Sequence, residues 1–181
     1  MMPGTGEAML HDLAPVLCGY AAAKIEQNHK QIARCAKLLT VGELWQRENE
    51  HCNAVGNLVL HLAGNVRQWV LGGIAGQVVE RDRAGEFAER RQIPADELSE
   101  ELARVVVPAC ATLRTLNAES LARRYAIQNY SVRGVEAVMH VTEHFSFHTG
   151  QIVHITKVRR GVDLSLYDAR GHKLPGTNAA P

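Results

Sequence analysis

The sequence predicts an all-α single domain, an antiparallel four-helix bundle. Apolar residues recur at steps of three and four along four long segments. Gly and Pro separate those segments without cutting the chain into independent parts. The one β-favouring stretch, LARRYAIQNYSV, is too short to change the class. A length of 181 residues fits one domain. Its core is expected over about residues 13–167, with a loose Gly/Pro-rich tail over 168–181.

The first helix is expected from about Leu13 to Leu39, with Pro15 in its first turn. Ala21, Ile25, Ile32, Ala36 and Leu39 give its apolar face. The polar run from Gln46 to Glu50 then connects to a second helix, for which Asn53 is the expected N-cap. Leu58, His61, Leu62, Asn65 and Trp69 share one face of it, and it should end near Gly72-Gly73 or Gly76. The charged stretch ERDRAGEFAERRQ reads as a loop.

The third helix follows Pro94 and runs to about Leu116, with Leu98, Leu102, Val105, Val106, Ala109 and Leu113 as its stripe. Pro108 inside that stripe should kink or split it. The fourth helix is expected from about Val132 to Arg159, capped by Ser131 and stopped by Gly161. Val138, Val141, Phe145, Ile152 and Ile155 face inward, and Lys157, Arg159 and Arg160 oppose the negative end of the helix dipole.

Polar groups on these apolar stripes require an explanation. His140, His144 and His148 stand at steps of four, one above another on the fourth helix. Two imidazoles at i and i+4 can converge on one metal ion. His61, at the centre of an otherwise apolar face, is the best third donor. A single inward histidine is more often a hydrogen-bonded core residue. A pair stacked in a core is costly without a partner. Spacing alone does not choose between 140/144 and 144/148 as the pair.

The neighbourhood EHFSFHTGQIVHITK resembles the DinB-like superfamily, which includes metal-dependent thiol S-transferases acting with bacillithiol or mycothiol. The family's late His-x-x-x-His-x-Gly-Gln pattern is matched by His144, His148, Gly150 and Gln151. Its earlier motif, LxHLAG followed by Trp, is matched by His61, Gly64 and Trp69. The resemblance spans about residues 15–167 and implies His61, His144 and His148 as ligands of one divalent metal ion. His140 then becomes a pocket or supporting residue, with plain packing as the alternative. Asn65 and Gln151, one turn beyond His61 and His148, are candidates to orient them.

Three neutral imidazoles leave a coordination position for water or substrate, as catalytic sites do. Imidazole suits zinc, nickel, copper and iron alike. The resemblance implies a thiol S-transferase using a low-molecular-weight thiol as co-substrate. A metal-dependent hydrolase and a non-catalytic metal-binding or sensor module are the alternatives. Glu143 points about 100° away from His144 and reads as a surface residue, not a general base. Glu80, Arg81, Asp82 and Arg83 could fold over the site, but loops of this composition are mostly solvated.

Lys plus Arg number 20 against 19 for Asp plus Glu, a net charge of +1. That balance argues against a broad footprint for nucleic acid or a membrane surface, so a small-molecule substrate is expected. Cys18, Cys35, Cys52 and Cys110 are widely spaced and read as reduced thiols. The start of the sequence has neither a basic segment nor a long apolar run, so a cytoplasmic location is expected. A homodimer through an exposed helix stripe is compatible with this class. Trp69 is expected in the core; for Trp45 both core and interface remain open.

Overall fold

The structure is a computed structural model that describes residues 5–166 and 168–172, with side chains from residue 13 onward. In chain order it comprises α1 (Thr5–Leu38), α2 (Val41–Trp45), α3 (Val55–Val66), a π-helical continuation (Arg67–Ile74), α4 (Arg83–Ala88) and α5 (Ala95–Arg114). Then come α6 (Ala118–Ala122), the hairpin strands β1 (Arg124–Ile127) and β2 (Tyr130–Arg133), and α7 (Gly134–Arg160). The long helices α1, α3, α5 and α7 are the four expected from sequence.

α1 packs on α5 and α7, and α3 packs on the same two. Side-chain pairs give the directions. Lys37 meets Asp96 while the Cys110 thiol faces the Ala22 carbonyl, so α1 and α5 are antiparallel. His61 meets His144 while Trp69 stacks on His140, so α3 and α7 are antiparallel as well. Asn28 donates to Ser146 and Cys35 faces Thr156, so α1 and α7 run alongside in the same direction. α3 and α5 consequently run the same way. The segment between them must therefore travel back along α3, and α4 is the part of it that packs there.

Phe145, Ile25, Ile32, Leu62, Leu102 and Leu113 are fully buried between the four helices. Each contributes about 1.5–3 kcal/mol through the apolar surface it removes from water. Cys18, Cys35 and Cys110 are buried among them as free thiols, while Cys52 is half-buried. Trp69 is buried, as expected. Trp45 is half-buried, donates from Nε1 to the Ile93 carbonyl, and covers Gly56, where a Cβ would sit 2.6 Å from its ring. Among the described residues no helix is long and apolar enough to cross a membrane.

Several local expectations are corrected. α1 begins at Thr5, so Pro15 lies inside it and not in its first turn. Good helix formers precede Pro15 and extend the helix backwards. α5 continues through Pro108, whose exposed position leaves the freed carbonyl one turn earlier open to water. The N-cap of α3 is Ala54, not Asn53. Ser131 belongs to β2, and the start of α7 is held by Glu136, which accepts the Arg133 backbone N–H at 2.5 Å. The charged loop contains α4, capped by the Asp82 carboxylate on the Gly85 N–H. Gly76 at φ +72° ends the second helical unit and Gly161 at φ +58° ends α7, both in the left-handed region that favours glycine. Of the expected loose tail, residues 173–181 lie outside the described residues.

Candidate metal centre

Because α3 and α7 are antiparallel neighbours, the inward face of α3 meets two successive turns of α7. His61 comes from α3, and His144 and His148 come from α7. One donor nitrogen from each lies within 4.8 Å of the other two. The Nε2 atoms of His61 and His144 are 2.9 Å apart. The His61 ring lies edge-on to His148 at 5.1 Å between centroids, and the two α7 rings are edge-on at 4.5 Å. His61 is 4% exposed; the other two are half-buried.

Hydrogen bonds outside the cluster set which nitrogen of each ring faces in. His61 Nδ1 lies 2.9 Å from Glu86 Oε2. Arg81 Nη2 is also near it, at 3.2 Å. The closer contact is with a carboxylate, which can only accept, so Nδ1 carries the hydrogen and Nε2 keeps its lone pair. His148 Nδ1 donates to Gln151 Oε1 at 2.6 Å, which likewise frees Nε2. The facing Nε2 atoms of His61 and His144 need a proton or a cation between them. Donors of a tetrahedral ion with bonds of about 2.0–2.1 Å stand about 3.3 Å apart, between the 2.9 Å and 4.8 Å found here. The donor set therefore fits a divalent metal ion.

Glu86 is itself clamped. Arg81 Nε donates to Oε1 at 2.7 Å and Arg81 Nη2 to Oε2 at 2.8 Å, a bidentate pair whose side chains are 6% and 10% exposed. Burial pushes the Glu86 carboxyl up, but the Arg81 and His61 hydrogen bonds outweigh it and hold its pKa below the ordinary value. Arg81 Nη1 goes on to Gln68 at 2.8 Å, and Gln68 also accepts from Gln128 at the hairpin turn. The return segment can lie this close to α3 because residue 64 is glycine. A Cβ there would collide with Glu86 Oε1 and crowd Arg81. Of the four charged residues at 80–83, Arg81 is thus folded against the site, while Glu80, Asp82 and Arg83 remain exposed, as solvated loops predict.

His61 and His144 floor a cavity of about 440 Å³, whose wall includes Asn65, Trp69, Arg81, Arg83, Tyr130 and His140. That volume suits a small molecule. His140 is not part of the triad. Its ring stacks on Trp69 at 3.9 Å and lies 5.5 Å from His144. Asn65 lines the cavity, with Oδ1 lacking a hydrogen-bond partner among the described residues. Burial pushes His144 down to about 3, helped by the nearby His148, His61, His140 and Arg81 charges. Burial lowers His140 and His148 in the same direction. Neutral imidazole, the ligating form, is therefore favoured. Glu143 is exposed and lines a separate groove of about 650 Å³ between α1 and α7, which contains none of these histidines.

Sequence reasoning missed Glu86 and Phe87, whose ring packs against His61 at 4.6 Å. Gly64, one turn from His61, was the available signal: a missing side chain beside a buried histidine leaves room for an approaching segment. Gly150 of the late motif has open space where a Cβ would stand, so nothing within the fold demands glycine there.

The family model for DUF1572, described as a protein of unknown function, matches residues 17–167. The chain belongs to the DUF1572 family. This is a DinB-like family, and its fold is shared by solved structures. A DinB-like protein from Bacillus cereus matches at TM-score 0.58 and 15% identity, over 77% of this chain and 89% of that one. A conserved protein from Enterococcus faecalis matches at 0.63 and 16%, over 79% and 96%. A DinB-like protein from Bacillus subtilis matches at 0.61 and 15%, over 80% and 95%. At such identities the likeness shows the fold alone. No curated protein matches the sequence. The match thus covers the bundle from within α1 to the end of α7, and both histidine motifs.

Proposed function

We propose that this protein holds one divalent metal ion on His61, His144 and His148 and acts as a metal-dependent thiol S-transferase. The observation that carries the reading is the convergence of three imidazole nitrogens within 4.8 Å, with His61 and His144 on the floor of a cavity. An ion on three neutral imidazoles keeps a position for a further ligand and lowers the pKa of a thiol or water bound there.

The protein's own residues supply orientation. Glu86 and Gln151 accept the Nδ1 hydrogens of His61 and His148 and fix the rings. Arg81 balances the buried Glu86 charge. Phe87 packs against His61 and Trp69 lines the cavity, giving the site aromatic surface. Burial raises the Cys18, Cys35 and Cys110 thiols, Cys110 to about 12, so none is suited to be a nucleophile at neutral pH. A thiol from solution fits the reaction better. In it the sulfur of the co-substrate forms a bond to carbon as a carbon–halogen bond breaks, and halide and the thiol proton are released.

The test is elemental analysis followed by turnover of a small alkyl halide or epoxide with and without a low-molecular-weight thiol. The reading expects about one ion per chain and thiol-dependent turnover that stops on chelation. Metal-dependent turnover needing water alone would replace it with hydrolysis. Stoichiometric metal without turnover would replace it with a binding module.

A further inference from the structure

Arg83 is the one other cationic side chain on the wall of the histidine cavity, and unlike Arg81 it is not consumed by a network. Its guanidinium lies 5.1 Å from the centroid of the Phe87 ring. The same ring also packs against His61, at 4.6 Å between centroids. One aromatic ring therefore contacts both the guanidinium and a histidine of the proposed metal site, and both line the same cavity. Arg83 forms no ion pair or hydrogen bond among the described residues. The adjacent Asp82 carboxylate is engaged in capping α4. Of the cavity's acidic groups, Glu136 takes the Arg133 backbone N–H at the start of α7, and Glu86, behind the wall, is matched by Arg81.

Glu136 keeps its charge on the wall, so what sets Arg83 apart is that its guanidinium has no ion-pair or hydrogen-bond partner among the described residues. Arg81 and Glu86 cancel, and Arg83 faces the cavity with its side chain held in place over Phe87. A guanidinium so held recognises carboxylate well, through a planar fork of donors. We propose, building on the metal-site reading above, that the molecule entering this cavity is an anionic thiol: a small compound whose carboxylate pairs with Arg83 while its sulfur reaches the histidine cluster. Arg83 is the specificity-determining residue for that carboxylate.

A matched pair of probes isolates the claim. N-acetylcysteine and N-acetylcysteamine differ by one carboxylate and share the thiol and the amide. Titration calorimetry of the zinc-loaded protein should show N-acetylcysteine binding about tenfold more tightly, as one charge-assisted hydrogen-bonded pair implies. Arg83→Gln should erase that preference and leave N-acetylcysteamine affinity, zinc content and melting temperature unchanged. Arg83→Lys should restore part of it. Equal affinity for the two thiols in the zinc-loaded wild type would overturn the proposal, as would an unchanged preference in Arg83→Gln. Failure of the protein to take up zinc at all is a different result: it removes the metal reading itself, and it shows in the zinc content before any thiol is added.

Discussion

Glu86 Oε2 accepts a hydrogen bond from His61 Nδ1 at 2.9 Å, although 25 residues separate them in sequence. The carboxylate belongs to the segment that returns along α3, and the imidazole belongs to α3 itself. The contact fixes the tautomer and the rotation of the ring, and it exists only because Gly64 lets the return segment approach. Outer carboxylates of this kind commonly set the affinity of a metal site.

The ligand set makes the first prediction. His144→Ala and His148→Ala should each nearly abolish binding of one divalent ion per chain, and His61→Ala should do the same. His140→Ala should retain the ion, because that ring stacks on Trp69 outside the triad. Metal content of the four purified variants decides the matter. A protein that needs His140 and not His148 would refute the assignment.

Glu86 gives the second. Glu86→Gln keeps the size of the side chain and removes its charge, so metal affinity should fall roughly 10–100-fold. Gly64→Ala should reach a similar loss by another route, since its Cβ would displace Glu86. Both effects should appear in competition titrations with a chelator, while circular dichroism still reports a helical bundle.

These two variants also mark what the sequence could and could not reveal. His61, His144 and His148 were legible because helical periodicity puts each on an inward stripe, where an imidazole needs a partner. The same periodicity located the four long helices. Glu86 and Phe87 were not legible, and Arg81 could not be told from its solvated neighbours, because their segment has no apolar period of its own and its path is imposed by bundle direction. Nothing in a local pattern says that α3 and α5 run the same way, and only that forces residues between them back across His61. The caps at Ala54 and Arg133 escaped for a related reason: both are set by where the incoming chain turns, not by a capping side chain of their own.

Acid should destabilise the metal-free protein. In the unfolded chain an imidazole takes up its proton near pH 6.5. In the folded chain burial, chiefly, holds His144 down to about 3, and His140 and His148 shift in the same direction. Below about pH 6.5 the unfolded state therefore binds more protons, and stability is lost as pH falls toward the folded value. The melting temperature of chelated protein should decline from pH 7 to pH 4. His144→Asn should flatten that decline, and an unchanged slope would argue against a neutral, buried His144.

The thiols offer a separate check on the core. Cys110 is pushed up to about 12 by burial and by the nearby Glu26 charge, and Cys18 and Cys35 are raised by burial. Cys52 alone is half-buried. At pH 8 an aromatic disulfide reagent should modify Cys52 first, leaving the other three until the bundle is unfolded. Rapid modification of Cys110 in the native protein would contradict the packing of α1 on α5.

Removing the metal should loosen the protein without unfolding it. A chain of 181 residues buries roughly 70% of its unfolded surface, which supplies a core independent of any ion. That core lies between the four long helices, whereas the histidines lie where one face of α3 meets α7. An ion that binds only the folded state adds RT ln(1 + [L]/Kd), about 2.7 kcal/mol at a hundredfold excess over Kd. For a domain of this size the melting temperature should rise by roughly 5–10 °C on metal addition at pH 8. At pH 5.5 the rise should shrink, because a protonated imidazole cannot ligate. Melting curves with and without chelator at the two pH values measure both effects. Complete unfolding on chelation at pH 8 would make the ion a structural element of the bundle. It would also remove the physical basis for an open coordination position, because a site that holds the fold together has its ligands closed around the ion.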